Sequence, residues 1–237
     1  MHRTNRRSRS TSTVRRRTEG DLTSAAPYVP ATRSLRRLHE AAAVCHGCDL
    51  YRHATQTVFG EGKASASLMF VGEQPGDAED RQGHPFVGPA GRVLHDAMQQ
   101  AGIDPRAVYI TNAVKHFKFV VRGKRRIHAK PKVLEIQACR PWLAAEIDRV
   151  RPHLVVALGA SAAQSLLGPK FRLTQHRGEV HACDLAPRVM ATVHPSSILR
   201  EPDDAARHQA MRDFVADLRV IMRRMEDLTM GNDSSQV

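Results

Sequence analysis

The amino-acid sequence predicts an α/β fold: a mostly parallel sheet with helices on both faces. Three observations carry this. Four short apolar runs rich in β-formers recur, LMFVG (residues 68–72), VYITN (108–112), LVVALG (154–159) and VMATV (189–193). Continuous apolar runs of this length suit strands buried on both faces. Segments of helical character lie between them, and strands alternating with helices make βαβ units.

Each element has its own reason. GRVLHDAMQQAG (91–102) and SAAQSLLG (161–168) are helices that stop on glycine. VLEIQACRPWLAAEIDRV (133–150) is amphipathic, and Pro141 marks a helix start inside it. The last helix spans about residues 204–225. Residues 1–34 carry eight arginines against two acids among Ser and Thr, and read as a disordered basic arm. The folded domain is then 35–226, with a polar tail at 227–237. No repeat, GxGxxG or P-loop is found; GEGKAS (60–65) lacks the spacing and hydroxyl of a phosphate-binding lysine loop.

The chain carries a net charge of +12, and +6 remains without residues 1–34. The folded part is basic in its own right, which makes nucleic acid the leading partner class. No apolar run is long enough to span a membrane, and the N-terminus lacks the apolar core of a secretory signal. Its Arg/Ser bias resembles a transit peptide in composition, and an over-long start would produce the same bias. The expected location is cytoplasmic, at the nucleoid. Four cysteines (45, 48, 139 and 183) suggest a reducing compartment and a metal site. Cys45 and Cys48 form a CxxC knuckle, and Cys139 closes it from a helix. Zinc and an iron–sulfur cluster both fit, and His116, Cys183, His46 and His53 are all open as a fourth ligand.

In a parallel sheet ligands bind at the carboxyl ends of the strands. That rule selects GEQPGD (72–77), NAVKH (112–116) and HPSS (194–197). Gln74 and Asn112 can each donate and accept at once, as a nucleobase edge requires. Phe86, in a loop before a helix, can stack on a base. Ser196 and Ser197 can cap a helix or bind phosphate. RGKRRIH (122–128) gathers cations in a loop that ends on His128.

Together GEQPGD, PFVGPAGR, TNAVKH, the CxxC pair and HPSS resemble the uracil-DNA glycosylase superfamily in its iron–sulfur, family 4-like branch, over about residues 38–222. KRRIH after TNAVKHFKF resembles the insert of the UdgX subfamily. The resemblance implies a three-layer α/β/α sandwich around a four-stranded, mostly parallel sheet. It implies a 4Fe–4S cluster on Cys45, Cys48, Cys139 and His116, the histidine standing where ordinary members carry cysteine; Cys183 is left as a free thiol. Phe86 would stack on a flipped uracil and Asn112 bond its polar edge. Gln74 and Asp77 would complete the pocket, and His194 would donate to a uracil carbonyl. Ordinary members position water with the acid after the first strand, Glu73 here; in UdgX-like proteins the loop histidine, His128, takes water's place and attacks the deoxyribose C1′. Lys124, Arg125 and Arg126 would bind the flanking phosphates and hold His128 neutral. The expected protein is a monomeric, single-turnover glycosylase that prefers single-stranded uracil-DNA and stays covalently attached to it. The alternative is a multiple-turnover hydrolytic enzyme.

Overall fold

The computed structural model describes residues 24–233. In chain order the elements are α1 (Leu35–Ala42), β1 (Glu61–Gly62), β2 (Leu68–Gly72), α2 (Asp77–Gln82), α3 (Pro89–Gln100), β3 (Tyr109–Asn112), β4 (Phe119–Arg122), β5 (Arg125–His128), α4 (Val133–Val150), β6 (Leu154–Leu158), α5 (Ala160–Leu167), α6 (Leu173–His176), β7 (Val189–Thr192), α7 (Pro195–Ile198) and α8 (Asp204–Asp233).

The four apolar runs form the parallel strands β2, β3, β6 and β7, and the two-residue β1 adds an antiparallel fifth at the edge. Strand periodicity sorts their side chains to two faces. Met69, Val71, Val155 and Ala157 pack with Leu143 and Ile147 of α4 and Ala163 and Leu166 of α5. Leu68, Phe70, Val156 and Leu158 pack with Leu94 and Met98 of α3 and Phe214 and Leu218 of α8. The result is the expected three-layer α/β/α arrangement. Each fully buried Leu or Phe here contributes about 1.5–3 kcal/mol.

The strand order is β1-β3-β2-β6-β7. The chain leaves β2 for β3 on one side and later returns to β6 on the other, so the winding reverses at the carboxyl end of β2. That reversal opens a crevice at Gly72 and Glu73, where open α/β sheets bind ligands.

Four boundaries differ from the sequence reading. Residues 24–34 belong to the folded body: Ala25 is buried and its amide donates to the Ala138 carbonyl at 2.7 Å. The remainder of the basic arm, residues 1–23, lies outside the described residues. α4 runs unbroken through Pro141; the carbonyl that a proline nitrogen leaves without a donor falls on exposed Gln137. α8 extends to Asp233, through much of the presumed tail. RGKRRIH is a β-hairpin, not a loop: β4 and β5 pair antiparallel around Gly123 and Lys124. Gly123 has φ 58° and Lys124 is not left-handed, the signature of a II′ turn. Among the described residues, no helix is long and apolar enough to cross a membrane.

Candidate active site

Three glycines let the crevice close around its side chains. A Cβ on Gly72 would lie 2.3 Å from Asn112 Oδ1 and 2.8 Å from Phe86 Cζ, so both side chains converge over the end of β2. Phe86 has φ 55°, a strained backbone for a non-glycine. Its carbonyl lies 1.6 Å from where a Cβ on Gly91 would be, so the third residue of α3 must be glycine for the Phe86 turn to fit. Gly159, at φ 89°, does the same for His194, whose Cβ is 2.9 Å from the position of a Cβ there.

His194 N-caps α7. Its Nδ1 accepts the Ser196 amide at 3.1 Å and lies 2.8 Å from Ser196 Oγ. An accepting Nδ1 puts the neutral ring's proton on Nε2, leaving that nitrogen a donor. Burial pushes the His194 pKa down to about 4; Glu73 opposes this, while Arg200 and His128 reinforce it. The ring is therefore neutral at physiological pH and stands 6.0 Å from the Phe86 ring, tilted by 30°. The serine hydroxyls are engaged locally: Ser197 Oγ donates to the His194 carbonyl, and Ser196 Oγ accepts from Arg200.

Strand alternation divides the hairpin. His128 pairs with Phe119 and Arg126 with Val121 on one side; Ile127 with Val120 and Arg125 with Arg122 on the other. On the first side Phe119, Arg126 and His128 reach the body of the protein, while Val121, next to the turn, is exposed. His128 Nε2 lies 3.2 Å from Glu73 Oε1, with the imidazole side chain half exposed. Burial alone would raise the Glu73 pKa. Contacts from His128 and Ser161, with the charges of His128 and Lys130, outweigh it and hold the carboxyl below the usual range.

Arg126 points inward as well, which departs from its expected place on a DNA phosphate. Its Nε meets Asp77 Oδ1 at 2.5 Å and its Nη1 meets Asp80 Oδ2 at 2.6 Å, and its guanidinium lies over Phe117 and Phe119. Asp77, expected at the pocket, opens α2 and pairs with Arg126 and Arg81; burial would raise its pKa, but these contacts lower it. Gln74 is likewise spent on the hairpin. Its amide nitrogen donates to the carbonyls of Lys118 and Ala129, and its oxygen accepts the Lys118 amide. Both hairpin ends are thus clamped to the end of β2. Lys124 and Arg125 are exposed at the tip. His128 is paired with the Glu73 carboxylate, and Arg126 with its two aspartates.

Behind the pocket, Lys115 and Glu146 form a fully buried ion pair at 2.5 Å. Lys115 Nζ also donates to the Asn112 carbonyl and Thr111 Oγ1, and Glu146 accepts from Tyr109, Thr111 and the Gly60 amide. This network fixes the turn that carries Asn112 and His116.

Cys45, Cys48 and Cys139 are buried in one apolar cluster with Leu38, Phe59 and Trp142. Burial pushes the Cys48 thiol up to about 11 and Cys139 up to about 12, and each feels Cys45 as a neighbouring charge. Backbone amides donate to two of the sulfurs, Gly47 to Cys45 at 3.4 Å and Lys115 to Cys139 at 3.2 Å. His116 is buried and its pKa is pushed down to about 4 by burial, with Nε2 3.0 Å from Thr57 Oγ1. Cys183 lies elsewhere, against the sheet face covered by α4 and α5.

Ser161, Asp80 and Lys130 are the site residues that sequence reasoning missed. Ser161 follows the third parallel strand, and the strand-end rule extended to that strand would have found it. Asp80 gave no local signal.

A model of the uracil DNA glycosylase superfamily matches residues 59–219. The chain is 33% identical over 187 residues to a type-4 uracil-DNA glycosylase of Pyrobaculum aerophilum, covering 76% of this chain and 91% of the relative. It is 35% identical over 176 residues to the type-4 uracil-DNA glycosylase of Thermotoga maritima, covering 74% and 88%. A type-5 uracil-DNA glycosylase of Pyrobaculum aerophilum is 32% identical over 155 residues, covering 58% and 64%. With most of the domain matched and the type-4 relatives covered nearly end to end, the chain belongs to the uracil-DNA glycosylase superfamily and stands close to its type-4 members.

Proposed function

We propose that this protein is a uracil-DNA glycosylase that cleaves the N-glycosidic bond and then captures its own product through His128. The observation that carries the reading is the placement of the His128 imidazole 3.2 Å from Glu73, beside the strand-end crevice. Uracil excision is supported by the family and by the activity named for its type-4 relatives. Phe86 stacks on the extruded uracil and Asn112 bonds its polar edge. Gln74 and Asp77 act from behind, holding the hairpin.

Cleavage sends the C1′–N1 electron pair to uracil and leaves an oxocarbenium-like sugar. Neutral His194 donates from Nε2–H to a uracil carbonyl oxygen, where the negative charge develops. The His128 lone pair then bonds to C1′, and the ring becomes a cationic, alkylated imidazolium. Glu73, held ionised, accepts hydrogen bonding from that ring and offsets its charge. Lys124 and Arg125 bind the flanking phosphates; Ser196 and Ser197 shape the α7 end for a further phosphate. A single-stranded substrate is preferred because its target base needs no unpairing.

Cys45, Cys48, Cys139 and His116 suit a 4Fe–4S cluster. Three cysteines in an apolar pocket with N–H···S bonds are the donors such a cluster takes, and a neutral imidazole can serve as the fourth. Among the described residues only His176, Glu179 and His181 bring three ligand atoms within 4.8 Å of one another. The cluster's contribution is structural, since the reaction moves no electrons between metal and substrate.

The test mixes purified protein with uracil-bearing and thymine-bearing oligonucleotides on a denaturing gel. An SDS- and heat-resistant complex with uracil alone is expected. Free uracil in molar excess over protein with no trapped species points instead to hydrolytic turnover, the second reading, which an ionised Glu73 fit to orient water favours.

A further inference from the structure

We propose that His176, Glu179 and His181 form a separate site for a borderline divalent cation such as zinc, beside β7 at the edge of the sheet. These three are the only described residues whose donor atoms gather closely enough to hold one ion. His176 Nδ1 lies 2.8 Å and His181 Nε2 3.4 Å from the same carboxylate oxygen, Glu179 Oε2. Tetrahedral zinc with bonds of about 2.0–2.2 Å sets neighbouring donors roughly 3.3–3.5 Å apart, so little movement is needed. Two imidazoles and a carboxylate are a ligand set that such ions favour.

A second observation points the same way. His181 Nε2 is buried and makes no hydrogen bond. Its nearest carboxylate oxygen, Glu179 Oε2 at 3.4 Å, does not meet it in hydrogen-bond geometry; a buried nitrogen so placed is costly, and a metal would satisfy it. The backbone is already arranged. Gly178, at φ 78°, turns the chain between the first histidine and the other two ligands, and its amide donates to Ala191 of β7. His181 exchanges two backbone hydrogen bonds with Val189, at 2.8 and 2.7 Å. Phe171 packs against both imidazoles, and Arg177 is drawn away by Asp217. A bound ion would take the place of the hydrogen bond between His176 and Glu179. It would fasten this segment to β7, the strand that delivers His194. A fourth position remains for water, on the side of exposed Glu179.

Zinc chloride titrated by calorimetry into chelator-washed full-length protein tests this, with iron content followed throughout. One site per chain is expected above the background of the other histidines. The double variant His176→Asn/His181→Asn should lose roughly 100-fold in affinity, and Glu179→Gln should fall between. Zinc should raise the Tm of the wild type and leave that of the double variant unchanged. Retained uracil release shows that the variants fold. Unchanged zinc affinity in the folded double variant, or no saturable site in the wild type, would overturn the proposal.

Discussion

Gly72→Ala tests the uracil pocket with a single methyl group. Gly72 ends β2 with an ordinary backbone, so alanine introduces no strain there; within a strand it is favoured over glycine by about 0.5–1 kcal/mol. The new methyl, however, would sit 2.3 Å from Asn112 Oδ1 and 2.8 Å from Phe86 Cζ. Reaching ordinary contact at 3.4 Å requires the amide oxygen to retreat by about 1.1 Å and the ring edge by about 0.6 Å. Neither has slack. Asn112 is 2% exposed, and the Phe86 turn is held against Gly91. Misplacement by about 1 Å costs on the order of 100-fold in rate. Single-turnover release of uracil from a labelled oligonucleotide, with protein in excess, should slow by that factor, and the overpacking should cost about 1–3 kcal/mol of stability. A folded Gly72→Ala protein with wild-type rate would refute the assignment of Asn112 and Phe86 to the base.

Glu146→Ala strands the buried Lys115 ammonium and should cost about 3–5 kcal/mol in chemical unfolding; the pair replacement Lys115→Met/Glu146→Leu should recover much of it, and a cost below about 1 kcal/mol in the single variant would contradict the network. Lys124→Ala and Arg125→Ala should each lower the salt slope of DNA binding by about one, whereas Arg126→Ala should leave that slope intact and slow adduct formation; equal effects on the slope would place Arg126 on the DNA after all. His194 has its pKa depressed by burial to about 4, against an unfolded value near 6.5. Its neutral form therefore supports the fold above about pH 6.5, and that contribution is lost as pH falls toward 4. Tm should decline across that window, and less so in His194→Asn.

The parallel strands were legible because burial on both faces leaves an unbroken apolar run, and the strand-end rule then led to Glu73, Asn112 and His194. The hairpin was not. Its outward side chains are Val120, Ile127, Arg122 and Arg125, so alternation is masked by charge on both faces, and a cation-rich stretch with glycine reads as loop. The inward roles of Gln74, Asp77 and Arg126 depend on partners 44 to 55 residues away in the chain. No local pattern records such pairings. Pro141 misled for a related reason: its cost to α4 is set by which carbonyl loses its donor, and that carbonyl belongs to an exposed residue.

The attachments of the hairpin bear on why an imidazole could outcompete water. His128 does not sit on the sheet; it reaches Glu73 because Gln74 clamps both hairpin ends and Arg126 anchors β5 to Asp77 and Asp80. A group tethered in this way would act at an effective concentration far above that of bulk water, and it takes up one side of the Glu73 carboxylate. His128→Gly leaves every one of these attachments in place while emptying that space. The expected variant forms no SDS-resistant complex and releases uracil hydrolytically, with Glu73 orienting the water admitted beside it. Uracil release by His128→Gly should then be lost on adding Glu73→Gln. A His128→Gly protein that still forms the complex would remove the histidine from the bond, and one that binds uracil-DNA but neither traps nor releases would show that cleavage itself, and not only capture, requires the ring.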